Sequence, residues 1–155
     1  MTPTSRSKRS LLKTTPERSR LMGRVRHANT EPEITLRQAL FRAGLRYRIK
    51  AKVRLPGSPD LVFPRARVVI FVDGCFWHGC PVHGTWPKTN RNFWASKIKR
   101  NRDRDRAADR ALRVLGWYPV RIWEHAIRNE LARCVARLNR KVRSSERTTR
   151  KRVTV

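Results

Sequence analysis

Residues 68–72, Val-Val-Ile-Phe-Val, run directly into Asp73-Gly74-Cys75-Phe76-Trp77-His78-Gly79-Cys80-Pro81-Val82-His83. No other stretch restricts the fold as much. Five successive apolar side chains in an extended strand project to both sheet faces, so both faces need cover. This points to a central strand, in a chain whose other elements mix helices and strands (α/β). The pattern then breaks at once. Residues 74–90 hold three glycines and two prolines, which predicts a loop held by something other than hydrogen bonds.

The flanking sequence supplies the other elements. Residues 1–14 are polar and basic without apolar periodicity and read as a flexible arm. Thr15-Pro16-Glu17 has the N-cap, first-turn proline and early acid of a helix start, and the helix would carry Leu21, Met22 and Val25. Pro32-Glu33 opens a second helix with Leu36, Ala39, Leu40 and Ala43 on one face and Gly44 as its stop. Residues 45–53 alternate apolar and basic side chains, as a half-buried strand does. A turn over 55–59, a short strand over 60–63 and a turn over 64–67 lead into the central strand. Asn92 is placed to cap a helix over 93–115, stopped by Gly116. Its middle, residues 97–110, is nearly all charged and faces either solvent or phosphates. Residues 118–123 read as a fourth strand. Residues 125–142 read as a last helix with Ile127, Leu131, Val135 and Leu138 on one face, followed by a basic, disordered tail over 143–155. One domain over residues 15–142 accounts for the whole pattern.

Charge narrows the partners. Lysine plus arginine is 38 against 11 aspartate plus glutamate, a formal net charge of +27 over 155 residues. Such an excess suits a nucleic-acid partner, because neutralising phosphates releases condensed counterions. A structural RNA-associated protein fits the charge but rarely needs five tryptophans and three cysteines. The cysteines cannot all pair within one chain, and nearby histidines favour metal ligation, so a reducing compartment is expected. No apolar run approaches the roughly 20 residues of a membrane span. The expectation is a cytoplasmic protein without a membrane partner.

Three kinds of chemistry share the loop. Cys75, Cys80 and His83 offer three metal ligands within nine residues. A closed structural Zn²⁺ site takes four nitrogen or sulfur ligands, and His27, His78, His125 and Cys134 are open for the fourth place. If the strand over 118–123 runs beside residues 68–72, His125 lies level with the loop. Cys134, on the apolar side of the last helix, also reads as a small buried side chain. Pro59-Asp60, a short hairpin and Asp73 at the next strand end have the spacing of a divalent-metal nuclease site. Mg²⁺ takes hard oxygen ligands, polarises a phosphodiester and activates water. Asp60 and the strand end at Val72 and Asp73 are placed to hold it, although a turn aspartate is the plain alternative. His78 is of the residue type that accepts a proton from water near neutral pH. Phe76 and Trp77 are adjacent. If both point outward, they form an exposed apolar patch suited to opening a base step, which a mispair resists less.

These residues resemble the very-short-patch-repair (Vsr) mismatch endonucleases, from about Thr15 to His125. The resemblance rests on Thr-Pro-Glu-Arg-Ser-Arg-Leu-Met22, Asn29-Thr-Glu-Pro-Glu33, Leu55-Pro-Gly-Ser-Pro-Asp60, Val69-Ile-Phe-Val-Asp-Gly-Cys-Phe-Trp-His78, Asn92-Phe-Trp94 and Asn101-Arg-Asp-Arg-Asp105. It implies a restriction-endonuclease-like core, a mixed β-sheet flanked by helices, with a structural zinc site. It implies Mg²⁺-dependent nicking of one strand on the 5′ side of the thymine in a T:G mismatch, by a monomer on double-stranded DNA. By position, Asp60 and the Val72 carbonyl are the implied Mg²⁺ ligands. His78 is the implied catalytic histidine, with Glu33, Asp73 and Asp105 as active-site acids. Cys75, Cys80, His83 and His125 are the implied zinc ligands, and Phe76, Trp77, Trp94 and Met22 the intercalating side chains. Asp73 stands where some members carry histidine, and serves as ligand or water-orienting group. His125 stands where some carry cysteine. Compared with nucleases of the Pro-Asp…(Asp/Glu)-x-Lys pattern, Cys75 takes the place of the lysine. Two rival readings are a related nuclease with another lesion or a restriction role, and a zinc-stabilised DNA-binding module without catalysis.

Overall fold

The computed structural model describes residues 28–153 except 50, 52, 53 and 86. The arm over 1–14, the helix starting at Thr15, Met22 and His27 lie outside the described residues. The described elements are α1 (Glu31–Arg42), β1 (Leu61–Phe63), β2 (Val68–Asp73), α2 (Arg91–Val114), β3 (Tyr118–Trp123), α3 (Glu124–Asn129) and α4 (Leu131–Val153). They form a mixed α/β structure around a three-stranded sheet in the order β1-β2-β3.

The apolar run is the central strand. It pairs antiparallel with β1, Leu61 opposite Ile70, and parallel with β3, Val72 opposite Ile122. A parallel neighbour requires a crossover, and α2 provides it. Alternate residues divide between two cores. Leu61, Phe63, Val68, Ile70, Val120 and Ile122 pack with Leu36 and Leu40 of α1, Ile127 of α3, and Leu138 and Val142 of α4. On the other face, Val62, Val69 and Phe71 pack with Leu55 and with Leu112 of α2. Each fully buried side chain of this kind contributes about 1.5–3 kcal/mol of transfer free energy.

The boundaries differ from the sequence expectation in four places. Residues 45–53 yield, among the described residues, only a single bridge, in which Arg48 and Val62 exchange hydrogen bonds of 2.8 Å. Pro59 and Pro64 flank β1 and have no N–H to give, so the strand stays too short to carry a longer ladder. The α2 helix starts at Arg91 behind Asn90, which takes a left-handed φ of 57°, rather than behind Asn92. The last helix is broken at Glu130, which lets α3 serve the loop while α4 follows the core stripe. Residues past Val142 are helical to Val153, not disordered. The α4 segment contains neither glycine nor proline. Its hydroxyls stay within the helix: Ser144 Oγ donates to the Lys141 carbonyl, Thr148 to that of Ser144 and Thr149 to that of Ser145. No helix among the described residues is long and apolar enough to cross a membrane.

Candidate active site

The parallel register places the ends of β2 and β3 side by side, Asp73 opposite Trp123. The loop after β2, the start of α3 and the inner side of α2 meet there.

Asp60 precedes β1 and turns its carboxylate to the strand end, where the Val72 N–H donates to Oδ2 at 2.7 Å. Burial pushes the Asp60 carboxyl up to about 6, against the pull of that hydrogen bond. Glu33, in the first turn of α1, adds to the upward push, and Arg37 opposes it. Glu33 is itself buried. It accepts from Asn29 N–H and Thr30 Oγ at 2.9 Å and from Arg37 Nη2 at 3.0 Å, a variant of the capping box. A second carboxylate is thereby held by three donors behind Asp60.

His78 Nδ1 lies 2.6 Å from Asp105 Oδ2 and 3.7 Å from Asp73 Oδ1. The helical spacing of α2 turns Asp105, Ala108, Asp109 and Leu112 inward and leaves Arg102, Asp103, Arg104, Arg106 and Arg110 exposed. The charged middle of α2 is therefore two-sided, with Asp105 and Asp109 on the site and Asp103 and the arginines on the solvent. Burial raises the Asp73 carboxyl, opposed by His78 and Arg121. Arg121 of β3 was not singled out from sequence, yet its Nη1 meets Asp73 Oδ1 at 2.8 Å and its Nη2 lies 3.1 Å from Asp109 Oδ1. Burial pulls its guanidinium down, and the carboxylates more than offset this.

Cys75, Cys80, His83 and His125 converge, with one ligand atom from each within 4.8 Å of the others. Cys75 Sγ and Cys80 Sγ lie 3.1 Å and 3.6 Å from His125 Nδ1. Two thiols and two imidazoles drawn together in this way are the donor set of a tetrahedral metal site, so the four residues could hold a metal ion. Burial pushes the Cys75 thiol up to about 11, which a bound cation would reverse by taking the thiolate. His78 is committed to Asp105, and Cys134 packs against the core; neither joins the cluster.

The loop carries hydrogen bonds after all. Cys80 N–H donates to the Cys75 carbonyl and Gly84 N–H to the Cys80 carbonyl, both at 2.9 Å. Cys75 N–H donates to Glu124 Oε1 at 2.9 Å. Gly79 takes φ +64°, and a Cβ there would lie 2.8 Å from Ile98, so a side chain is excluded on two grounds.

Phe76, Trp77 and Trp94 are half-buried and stack edge-on, with centroids 5.0–6.2 Å apart. Phe93, not selected from sequence, extends the cluster against Trp94 at 5.3 Å. Lys97 Nζ lies 5.1 Å from the Trp77 centroid and 5.4 Å from that of Trp94. Asn101 Nδ2 donates to the Trp77 carbonyl at 2.9 Å. Neither aromatic of the adjacent pair enters the sheet core; the rings shelter one another at the surface.

Residues 12–83 match the profile of the family described as DNA mismatch endonuclease Vsr. The chain is 46% identical over 112 residues to the Type II nicking enzyme V.NaeI of Lentzea aerocolonigenes, covering 70% of this chain and 68% of that one. It is likewise 46% identical to the Type II nicking enzyme V.XorIIP of Xanthomonas oryzae pv. oryzae, over 70% and 81% of the two chains. Identity to the DNA mismatch endonuclease Vsr of Escherichia coli is 39% over 113 residues, 72% of this chain and 71% of that one.

Proposed function

The chain belongs to the DNA mismatch endonuclease Vsr family, and from this premise we propose that it nicks one DNA strand on the 5′ side of the thymine in a T:G mismatch. Members of the family are endonucleases that act on DNA. The family implies a restriction-endonuclease-like core, with which the mixed sheet between helices agrees. The observation that carries the catalytic part is the 2.6 Å contact of His78 Nδ1 with Asp105, at the sheet end where Asp60 turns its carboxylate inward.

Asp60 and the Val72 carbonyl would hold Mg²⁺, which polarises the phosphodiester and lowers the pKa of a water. Glu33, buried and adding to the upward push on the Asp60 carboxyl, would favour a cation at this position. Asp105 accepts from His78 Nδ1–H and so presents Nε2 as the acceptor. Nε2 takes the proton of the attacking water as its oxygen bonds to phosphorus; the opposite P–O bond breaks, and the leaving oxygen takes a proton from solvent to become a strand-end hydroxyl. Asp73 orients the same ring from the strand end. Zinc on Cys75, Cys80, His83 and His125 would fix the loop, so that His78 and the rings keep their places. Phe76, Trp77 and Trp94 stack on bases, aided by Met22 from the opposite groove, and exploit the lower cost of opening a mispaired step. Lys97 would exchange its ring contacts for phosphate. The enzyme acts as a monomer on double-stranded DNA.

The test is a supercoiled plasmid carrying one T:G site, incubated with the protein and Mg²⁺ and then chelated. Matched and other mispaired plasmids run alongside. Nicking confined to T:G is expected. Equal nicking of matched DNA would replace the repair reading with a restriction role, and no nicking at all would leave a DNA-binding module.

A further inference from the structure

Arg121 is a charged side chain where the sheet should be apolar. It lies opposite Phe71 in the β2–β3 register, on the α2-facing side of the sheet that otherwise buries Val69, Phe71 and Leu112. Its side chain is 22% exposed. Stability alone does not account for it, because well-packed apolar residues usually replace buried ion clusters at no loss.

The contacts form a chain that ends at His78. Asp109 takes Nε of Arg121 at 3.2 Å through both carboxylate oxygens, and Nη2 at 3.1 Å through Oδ1. The Phe71 ring lies 4.4 Å below the guanidinium. So clamped, Arg121 reaches the two acids that touch His78. Nη1 meets Asp73 Oδ1 at 2.8 Å, and Nη2 meets the Asp105 carbonyl at 3.4 Å and lies 3.6 Å from its Oδ1. Asp105 is therefore held through one oxygen by Arg121 and through the other by His78. Among the described residues, the acids that hydrogen-bond or pair with His78 are Asp105 and Asp73, and Asp109 bonds to Arg121 instead.

We propose that Arg121, locked by Asp109, is a positioning residue of the nicking reaction that fixes Asp73 and Asp105 so that His78 points one ring nitrogen at the scissile phosphate. This rests on the function proposed above. A direct phosphate contact suits Arg121 poorly, because the fork already spends Nε, Nη1 and Nη2 on three aspartates. Without Arg121, Asp73, Asp105 and Asp109 face one another with only His78 between them, and the first two lose their orientation.

The test compares the wild-type protein with Arg121→Met and Arg121→Lys on a T:G duplex, reading dissociation constant and single-turnover nicking rate separately. Arg121→Met should nick about 100-fold more slowly, the cost of a misplaced reacting group, at unchanged affinity. Arg121→Lys keeps the charge without the fork and should recover only part of the rate. The ¹H–¹⁵N spectrum of the His78 ring should show a sharp downfield Nδ1–H signal in the wild type that Arg121→Met loses. An affinity loss that matches the rate loss would make Arg121 a phosphate contact and overturn the proposal. So would a lowered melting temperature with unchanged rate and spectrum. Should Arg121→Met fail to fold, Asp109→Asn removes the clamp alone, and should slow nicking less but in the same way. An unchanged rate and ring signal there would overturn the proposal too. If the wild type nicks nothing, the proposed function fails, while the ring signal still reports whether Arg121 orders His78.

Discussion

Replacing Asp60 by Asn should stabilise the fold while destroying its activity. The carboxyl sits largely buried with its upward push led by burial, and Asn keeps the acceptor for the Val72 N–H. Raising a carboxyl from its ordinary 3.8 to about 6 means that the ionised form costs the native state about 3 kcal/mol. The sign follows from which state binds the proton more tightly. Below about pH 4 the acid is protonated in folded and unfolded chains alike, and the two proteins should match. Between there and about pH 6 only the unfolded chain ionises, so wild-type stability falls relative to the variant. Above that range the full gap of about 3 kcal/mol remains. Urea unfolding of both proteins at pH 4 and pH 8, without divalent cations, measures the gap; other titrating groups cancel because both proteins carry them. Added Mg²⁺ should then stabilise the wild type and leave the variant unchanged. A variant no more stable than the wild type at pH 8, or one with the same gap at both pH values, would refute the claim that a buried charge is held there.

Three further outcomes test the remaining parts of the site. His78→Ala should cut the nicking rate by about 10²–10⁴-fold with mismatch binding retained; a loss confined to binding would remove His78 from the chemistry. Trp77→Ala should narrow the preference for T:G over paired DNA by about 1–3 kcal/mol, the worth of one base stack, and an unchanged preference in a competition assay would leave the ring a packing role only. Cys80→Ser should lose zinc by metal analysis and lower the melting temperature, whereas undiminished zinc content would exclude Cys80 as a ligand.

The sequence announces what lies in one short segment and hides what needs a register. Residues 68–73 are legible as a central strand because every side chain is apolar up to the acid. Cys75, Cys80 and His83 are legible as candidate ligands because nine residues contain them all. His125 needed only the guess that β3 runs beside β2, which the pairing bears out. Arg121 and Asp109 were not legible. One is an arginine within a strand and the other an acid among nine arginines and lysines of α2, and neither stands out until the parallel pairing brings Arg121 under the helix. A charge inside an apolar strand, with acids four residues apart on the preceding helix, was the available signal. The end of α4 misled for the opposite reason. Its polarity suggests disorder, but its arginines, lysine and glutamate are good helix formers and it holds no glycine or proline to stop a helix.

The crossover helix α2 has a mechanical consequence. Trp94 in the aromatic cluster and Asp105 behind His78 are eleven residues apart on one unbroken helix, a rod of about 16 Å at 1.5 Å per residue. Side chains carried on separate loops would fluctuate independently. The common rod is packed down at Ile98, Ala108 and Leu112, so the two ends of the site are held by one set of anchors. If the aromatic cluster opens a base step as proposed, force on Trp94 would reach Asp105, and through it His78, along the same helix.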